Sequence, residues 1–131
     1  MDYKTLVKKA QQAKKNSYSP YSNFRVGAAL LTNSGKVFTG CNIENSSFSL
    51  TICAERTALF KAISEGTRKF KATAITSEAE GFIPPCGACR QVMLDLANDI
   101  DVILTNSKGK MKVMKASSLL PKPFTNKFLH H

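Results

Sequence analysis

Three cysteines and one glutamate are the residues most able to do chemistry in this sequence. Cys53 stands two residues before Glu55, and Cys86 and Cys89 form a second pair three residues apart. Thiolates at such spacing are typical ligands of a tetrahedral zinc ion. Three protein ligands leave one position open, where a catalytic metal holds water. A carboxylate on the same helical turn as a ligand can carry protons to and from that water.

A structural zinc site is the alternative, and it would close with four protein ligands. Cys41 is the only other thiol, and the two histidines, His130 and His131, end the sequence and receive no role. Cys41 falls at the end of a predicted strand, where a cysteine is more often a small buried apolar residue. We therefore expect three sulfur ligands and an open position. The closed site stays an alternative, which the zinc content of Cys41→Ser would decide.

Two arginines directly follow residues of this site. Arg56 comes after Glu55, and Arg90 comes after Cys89. Zinc with three thiolates is formally negative, so it acidifies water poorly unless a positive group compensates. We expect Arg56, together with Arg90, to donate hydrogen bonds to ligand sulfurs and so offset this charge. The alternative for each arginine is a surface ion pair.

The length and composition are those of an ordinary globular protein. A chain of 131 residues fits one domain, over residues 1–131, that buries roughly two-thirds of its unfolded surface. No stretch approaches the ~18 apolar residues of a membrane span, and the N-terminus lacks the apolar core of a secretion signal. We therefore expect a cytoplasmic location, where reduced cysteines indicate metal binding or catalysis over disulfides.

The positive charge is large but dispersed. The net charge is +10, from 19 basic and 9 acidic side chains. The lysines form no run of five or six, and no aromatic residues interleave them. Nucleic-acid binding needs a localised basic patch, so a solvated basic surface is the better interpretation.

Hydrophobic periodicity predicts the elements that hold these residues. Thr51 is expected to cap the helix that opens at Cys53, and Val92, Met93 and Leu96 are expected to face the core. Alternating strands and helices favour an α/β sheet with helices on its faces, and the opening hairpin makes the sheet mixed. In chain order the prediction is a helix over 2–15, strands over 24–32 and 36–41, a helix over 53–66, a strand over 71–76, a helix over 86–97, and strands over 102–105 and 111–114.

The motifs together resemble a known family. Cys-Ala-Glu-Arg at 53–56 and Pro-Cys-Gly-Ala-Cys-Arg at 85–90 are similar to the motifs of small zinc-dependent cytidine deaminases that act on free nucleosides. Residues 18–29 resemble the first loop and strand of that family, and residues 40–45 resemble its ribose-binding segment. The likeness runs from about residue 3 to Phe124.

This resemblance implies a fold, a cofactor and an assembly. The implied fold is a three-layer α/β/α arrangement with a mixed five-stranded sheet. The implied cofactor is one zinc ion per subunit, held by Cys53, Cys86 and Cys89, with Glu55 as the proton shuttle. The family's small members are homotetramers, so a homotetramer with sites at subunit interfaces is expected.

The resemblance also implies the substrate contacts. Phe24 would pack on the pyrimidine ring, and Asn42 and Glu44 would bind the ribose 3′-hydroxyl. Taken alone, Phe24 is typical of a core residue, Asn42 of a turn and Glu44 of a solvated loop. Many relatives carry tyrosine at the position of Phe48, whose ring packing survives without the hydroxyl. The remaining implied substrate-binding residues are Ala54 and, reaching a neighbouring subunit's site, Ser46, Phe48 and Phe124.

The implied activity is hydrolytic deamination of cytidine and 2′-deoxycytidine to uridine, 2′-deoxyuridine and ammonia, as in pyrimidine salvage. One alternative is a deaminase of tRNA or single-stranded DNA, although Glu44 would repel a 3′-phosphate. Another is a non-catalytic zinc protein that binds nucleosides or partners. Ammonia release from cytidine, and a comparison of cytidine with 3′-CMP, separate these functions.

Overall fold

A computed structural model describes residues 1–129, and His130 and His131 lie outside the described part. The helices and strands are, in chain order, α1 (Tyr3–Lys14), β1 (Val26–Thr32), β2 (Val37–Cys41), α2 (Ala54–Ser64), β3 (Phe70–Ser77), α3 (Gly87–Ala97), β4 (Asp101–Thr105) and β5 (Met111–Lys115). Short 3-10 turns lie over Phe48–Leu50, Ala116–Leu119 and Asn126–Phe128.

The strands form one mixed sheet in the order β2-β1-β3-β4-β5. Strand β1 is antiparallel to both β2 and β3, and β4 is antiparallel to β5. Only β3 and β4 pair in parallel among the described strands, and α3 is the crossover between them. The predicted mixed five-stranded sheet is confirmed.

Alternating residues of the strands divide the core between the two faces of the sheet. On β1, Ala29 and Leu31 pack with Leu6 of α1, whereas Ala28 and Leu30 face the layer formed by α2 and α3. This alternation follows from the two-residue period of a strand. The predicted three-layer α/β/α arrangement is therefore confirmed, and α1 is the only helix of residues 1–129 that covers its side of the sheet.

Two glycines let helix backbones rest directly on the sheet. A Cβ atom on Gly40 of β2 would lie 2.6 Å from the nitrogen of Ala58 and 2.7 Å from the carbonyl oxygen of Ala54. A Cβ atom on Gly27 of β1 would lie 2.1 Å from the carbonyl oxygen of Ala10 in α1. The height of α2 above the sheet, and with it the position of its first turn, therefore depends on Gly40.

The element bounds agree with the predicted ranges to within one or two residues, but two local predictions are wrong. Leu96 is 38% exposed, whereas Met93 is buried as expected. Thr51 does not cap α2, because its hydroxyl accepts the N–H of Asn45 and Cys53 itself occupies the N-cap position. None of the helices over residues 1–129 has the length and apolar character that a membrane crossing requires.

Candidate active site

The three predicted cysteine ligands meet where two helices begin. Cys53 is the N-cap residue of α2, Cys86 is the N-cap residue of α3, and Cys89 lies in the first turn of α3. The sulfurs all lie within 4.8 Å of one another, with 3.8 Å between Cys53 and Cys86 and 3.4 Å between Cys86 and Cys89. The free N–H groups of both helix ends favour thiolates here.

These sulfurs fit a zinc ion. Tetrahedral ligation with Zn–S bonds of about 2.3 Å places sulfurs about 3.8 Å apart. A hydrogen bond from Cys89 lowers the pKa of Cys53 to about 5, and the same contact, together with burial, raises the pKa of Cys89. Cys53 thus loses its proton readily while the adjacent Cys89 keeps its own, because two thiolates so close together repel each other. A divalent cation would offset that repulsion. Cys41 stands outside this cluster of the described residues, so the donor set is three sulfurs.

The two arginines differ in what they contact. Arg56 Nη2 donates to Cys53 Sγ at 3.5 Å, and its Nε is buried without a hydrogen-bond partner in residues 1–129. Arg90, also predicted to donate to ligand sulfurs, instead donates from Nε to the Pro85 carbonyl at 2.7 Å and from Nη1 to the Leu119 carbonyl at 2.8 Å. Arg90 therefore ties the start of α3 to the C-terminal segment.

Glu55 lies in the first turn of α2 and is only 6% exposed. Burial raises the pKa of its carboxyl group, and the nearby Cys53 thiolate raises it further. A carboxyl group in such surroundings keeps its proton to higher pH than a solvated glutamate, which suits a group that must both release and accept protons.

A cavity of about 300 Å³ opens beside these residues, within the usual range of small-molecule sites. It brings together the predicted residues Phe24, Asn42, Glu44, Ala54 and Glu55 with the cysteine pair Cys53 and Cys86. Its lining residues are Ser22, Phe24, Val26, Asn42, Glu44, Thr51, Cys53, Ala54, Glu55, Ile75, Ser77, Ile83, Pro84, Pro85 and Cys86.

Asn42 and Glu44 reach the cavity although they differ in burial. Asn42, which follows β2, is 8% exposed, and its side-chain Nδ2 donates to the Phe24 carbonyl at 2.8 Å. Glu44 is more open, and its Oε1 accepts the N–H groups of Tyr21 at 3.0 Å and Ser22 at 3.1 Å. Both side chains therefore hold the loop before β1 as well as facing the cavity.

Ser46, Phe48 and Phe124 do not line this cavity within one chain. Phe48 is 73% exposed and meets the ring of Tyr21 edge-on, with 5.8 Å between centroids. Phe124 is 58% exposed and stacks on Phe128. The two aromatic rings thus remain open to a neighbouring molecule.

Sequence reasoning missed several lining residues. Ser22, Ile83 and Pro84 were not singled out for the site, although Ser22 lies in the loop that resembles the family. The signal for Ser22 was its place two residues before Phe24, but its contacts come from Glu44, far along the chain.

Comparisons with known proteins agree with this site. Residues 1–105 match the family model described as the cytidine and deoxycytidylate deaminase zinc-binding region. The chain is 48% identical to a cytidine deaminase of Sporosarcina psychrophila, over 100% of this chain and 97% of the relative. It is 52% identical to a cytidine deaminase of Halalkalibacterium halodurans, over 95% and 96% of the two chains.

A solved structure gives the same result for the fold. The crystal structure of cytidine deaminase from Burkholderia pseudomallei superposes with a TM-score of 0.92 at 52% identity, over 95% of this chain and 100% of that one. The family model covers residues 1–105, which include the three clustered cysteines and Glu55, so the chain belongs to the zinc-binding family of cytidine and deoxycytidylate deaminases.

Proposed function

We propose that this protein is a cytidine deaminase that hydrolyses cytidine and 2′-deoxycytidine to uridine and 2′-deoxyuridine, with release of ammonia. The observation that carries this proposal is a cluster of three sulfurs, two of which line the same cavity as the buried carboxyl group of Glu55. The reaction is a step of pyrimidine salvage, and the names of the relatives at about 50% identity support it.

Cys53, Cys86 and Cys89 would hold one zinc ion per subunit. When bound, zinc supplies the Lewis acidity that lowers the pKa of water toward ~7. Arg56 donates to the Cys53 sulfur and so offsets part of the negative charge of three thiolates.

Glu55 moves the protons. It accepts a proton from the attacking water and gives it to ring N3, which makes C4 of the base electrophilic. The water oxygen then adds to C4. A second proton passes through Glu55 to the amino nitrogen, and the C–N bond breaks to release ammonia. The raised pKa that burial gives this carboxyl group brings it closer to the operating pH, where proton transfer in both directions is efficient.

The remaining cavity residues orient the nucleoside. The ring of Phe24 packs on the pyrimidine, Ala54 lies against the base, and Asn42 and Glu44 bind the ribose 3′-hydroxyl. The Glu44 carboxylate accepts from a sugar hydroxyl, and one Nδ2 hydrogen of Asn42 remains to donate to it, since Asn42 Oδ1 already accepts the Val26 N–H and the Ser17 hydroxyl. A carboxylate at Glu44 also disfavours a 3′-phosphate, so 3′-CMP and polynucleotides are poor substrates.

The test is the loss of the cytidine absorbance band on adding the purified protein, with and without a chelator. Glu55→Gln should keep zinc and the melting temperature but lose nearly all turnover. Glu65→Gln is the matched control, because Glu65 follows α2 on the surface and pairs only loosely with Lys36, at 3.9 Å. Near-normal kcat in Glu55→Gln, or no ammonia from the wild-type protein, contradicts the proposed function.

Further proposals concern the assembly and its setting. We propose that residues 1–131 form one domain that acts in the cytoplasm and assembles as a homotetramer. Support comes from the exposed aromatic rings of Phe48 and Phe124, neither of which lines the cavity beside Glu55 in its own chain. Ser46, Phe48 and Phe124 would then complete a neighbouring subunit's site. Light scattering measures the assembly, and a monomeric, fully active protein contradicts it.

A further inference from the structure

Ser22 connects two residues of the proposed substrate site. Its hydroxyl group donates to Oε2 of Glu44 and accepts the backbone N–H of Phe24 at 3.0 Å. The hydroxyl therefore has both its proton and an acceptor site committed, one to the carboxylate and one to the backbone. It forms a short link between a sugar-facing group and the residue that faces the base.

Glu44 holds the whole turn through the same carboxylate. Its Oε1 accepts the N–H groups of Tyr21 and Ser22, while its Oε2 accepts the hydroxyl proton of Ser22. These hydrogen bonds, led by that from the Ser22 hydroxyl, lower the pKa of Glu44. Each carboxylate oxygen can accept more than one hydrogen bond, so a sugar hydroxyl can still be received.

Asn42 completes the connection from the other side of Phe24. Its Nδ2 donates to the Phe24 carbonyl at 2.8 Å, and its Oδ1 accepts the N–H of Val26 at 3.0 Å. Both backbone polar groups of Phe24 are therefore held by side chains, one by Ser22 and one by Asn42. The backbone that carries the base-facing ring therefore cannot shift without disturbing Asn42 and, through Ser22, Glu44.

We propose that Ser22 is a positioning residue that fixes the carboxylate of Glu44 for the 3′-hydroxyl and thereby sets the preference for nucleosides that carry this hydroxyl. This inference rests on the proposed function. Without the Ser22 hydroxyl, Glu44 keeps its backbone donors on Oε1, but the orientation of Oε2 is no longer fixed. The loss through Glu44 falls only on substrates that use Oε2, whereas the lost hydrogen bond to the Phe24 N–H affects substrates with and without the 3′-hydroxyl alike and cancels in their ratio.

The experiment compares 2′-deoxycytidine with 2′,3′-dideoxycytidine in the zinc-loaded protein. Ser22→Ala should lower the ratio of the two kcat/KM values by about tenfold, mainly through KM for 2′-deoxycytidine, as expected for one lost hydrogen bond to a charged group. Ser22→Thr keeps the hydroxyl and should restore the ratio. Ser34→Ala is the control, because Ser34 lies in the turn between β1 and β2 and contacts Thr32.

The outcomes separate this inference from the proposed function. An unchanged ratio in Ser22→Ala, or an equal loss for both substrates without rescue by threonine, overturns the role of Ser22 while deamination itself stands. If the wild-type protein turns over neither nucleoside, the proposed function fails, and calorimetric binding of 2′-deoxyuridine against 2′,3′-dideoxyuridine then decides the role of Ser22. Binding of neither nucleoside overturns both.

Discussion

Gly40→Ala should distort the active site, because Gly40 lies in β2 directly beneath the backbone of α2. The added Cβ atom would lie 2.6 Å from the Ala58 nitrogen and 2.7 Å from the Ala54 carbonyl oxygen, whereas ordinary contacts begin at 3.4 Å. Both clashing atoms belong to helix backbone, so no side chain can turn away. Helix α2 must retreat from the sheet by about 0.8 Å at this point.

This shift of α2 moves Cys53 and Glu55 relative to Cys86. Cys53 is the N-cap residue of α2 and Glu55 lies in its first turn, whereas Cys86 is the N-cap residue of α3. A misplacement near 1 Å in a catalytic constellation costs on the order of 100-fold in rate. Overpacking against backbone also costs roughly 1–3 kcal/mol of unfolding free energy. We therefore expect a folded protein with a lower melting temperature and about 100-fold lower kcat/KM for cytidine.

Two other glycines provide the comparison. Gly81→Ala meets nothing within 4 Å and should change neither stability nor turnover. Gly27→Ala presses on α1, which carries none of the proposed site residues, so it should lower stability more than turnover per folded molecule. The assay is kcat/KM together with zinc content and the melting temperature. Wild-type kcat/KM in Gly40→Ala would refute the claim that the height of α2 sets the site.

Two further predictions concern the ends of the chain. Asp101 accepts the Tyr3 hydroxyl at 2.5 Å and pairs with Lys115 at 3.0 Å, and these contacts, Tyr3 first, lower the pKa of Asp101. The ionised Asp101 side chain therefore contributes to the free energy of unfolding above its unfolded pKa of about 3.8, and this contribution is lost as pH falls through the lower folded pKa. The urea midpoints of Asp101→Asn and the wild type should differ at pH 7 and converge toward pH 2. A difference that stays constant with pH contradicts this. The amide of Gln91 pairs with both the N–H and the carbonyl of Phe124. Gln91→Met should therefore speed hydrogen exchange at the Phe124 amide roughly fivefold, with Gln11→Met as the control, and unchanged exchange would show that the tail is held by other contacts.

The sequence predicted the sulfur cluster because its members are rare residue types at informative spacing. The difference between Arg56 and Arg90 shows where such reasoning stops. Each arginine lies about one helical turn after a cysteine that caps its helix, Arg56 three residues after Cys53 and Arg90 four residues after Cys86. The helix period therefore does not separate them. Arg90 turns away from the sulfurs because the Pro85 and Leu119 carbonyl groups accept its hydrogen bonds, and the second of these comes from a distant segment.

Contacts between distant segments were beyond prediction for a different reason. The Thr51 hydroxyl accepts the N–H of Asn45, and the Ser22 hydroxyl donates to the carboxylate of Glu44. Neither hydrogen bond follows from local propensity. Leu96 fits the apolar stripe of α3 by its spacing, yet the position of the sheet leaves it partly exposed. The alternation of strands and helices predicted the layers, while loop hydrogen bonds depend on the tertiary arrangement.

Strand β5 is an edge strand of the sheet and pairs only with β4 among the described strands. Such an edge offers unpaired amide and carbonyl groups to another polypeptide, which is a route to aggregation. This edge carries part of the net charge of +10, through Lys112 and Lys115 in β5 and Lys110 just before it. Repulsion between like-charged edges opposes strand pairing through β5, so concentrated solutions should become turbid when these amines are acetylated or when salt shortens the Debye length well below 10 Å.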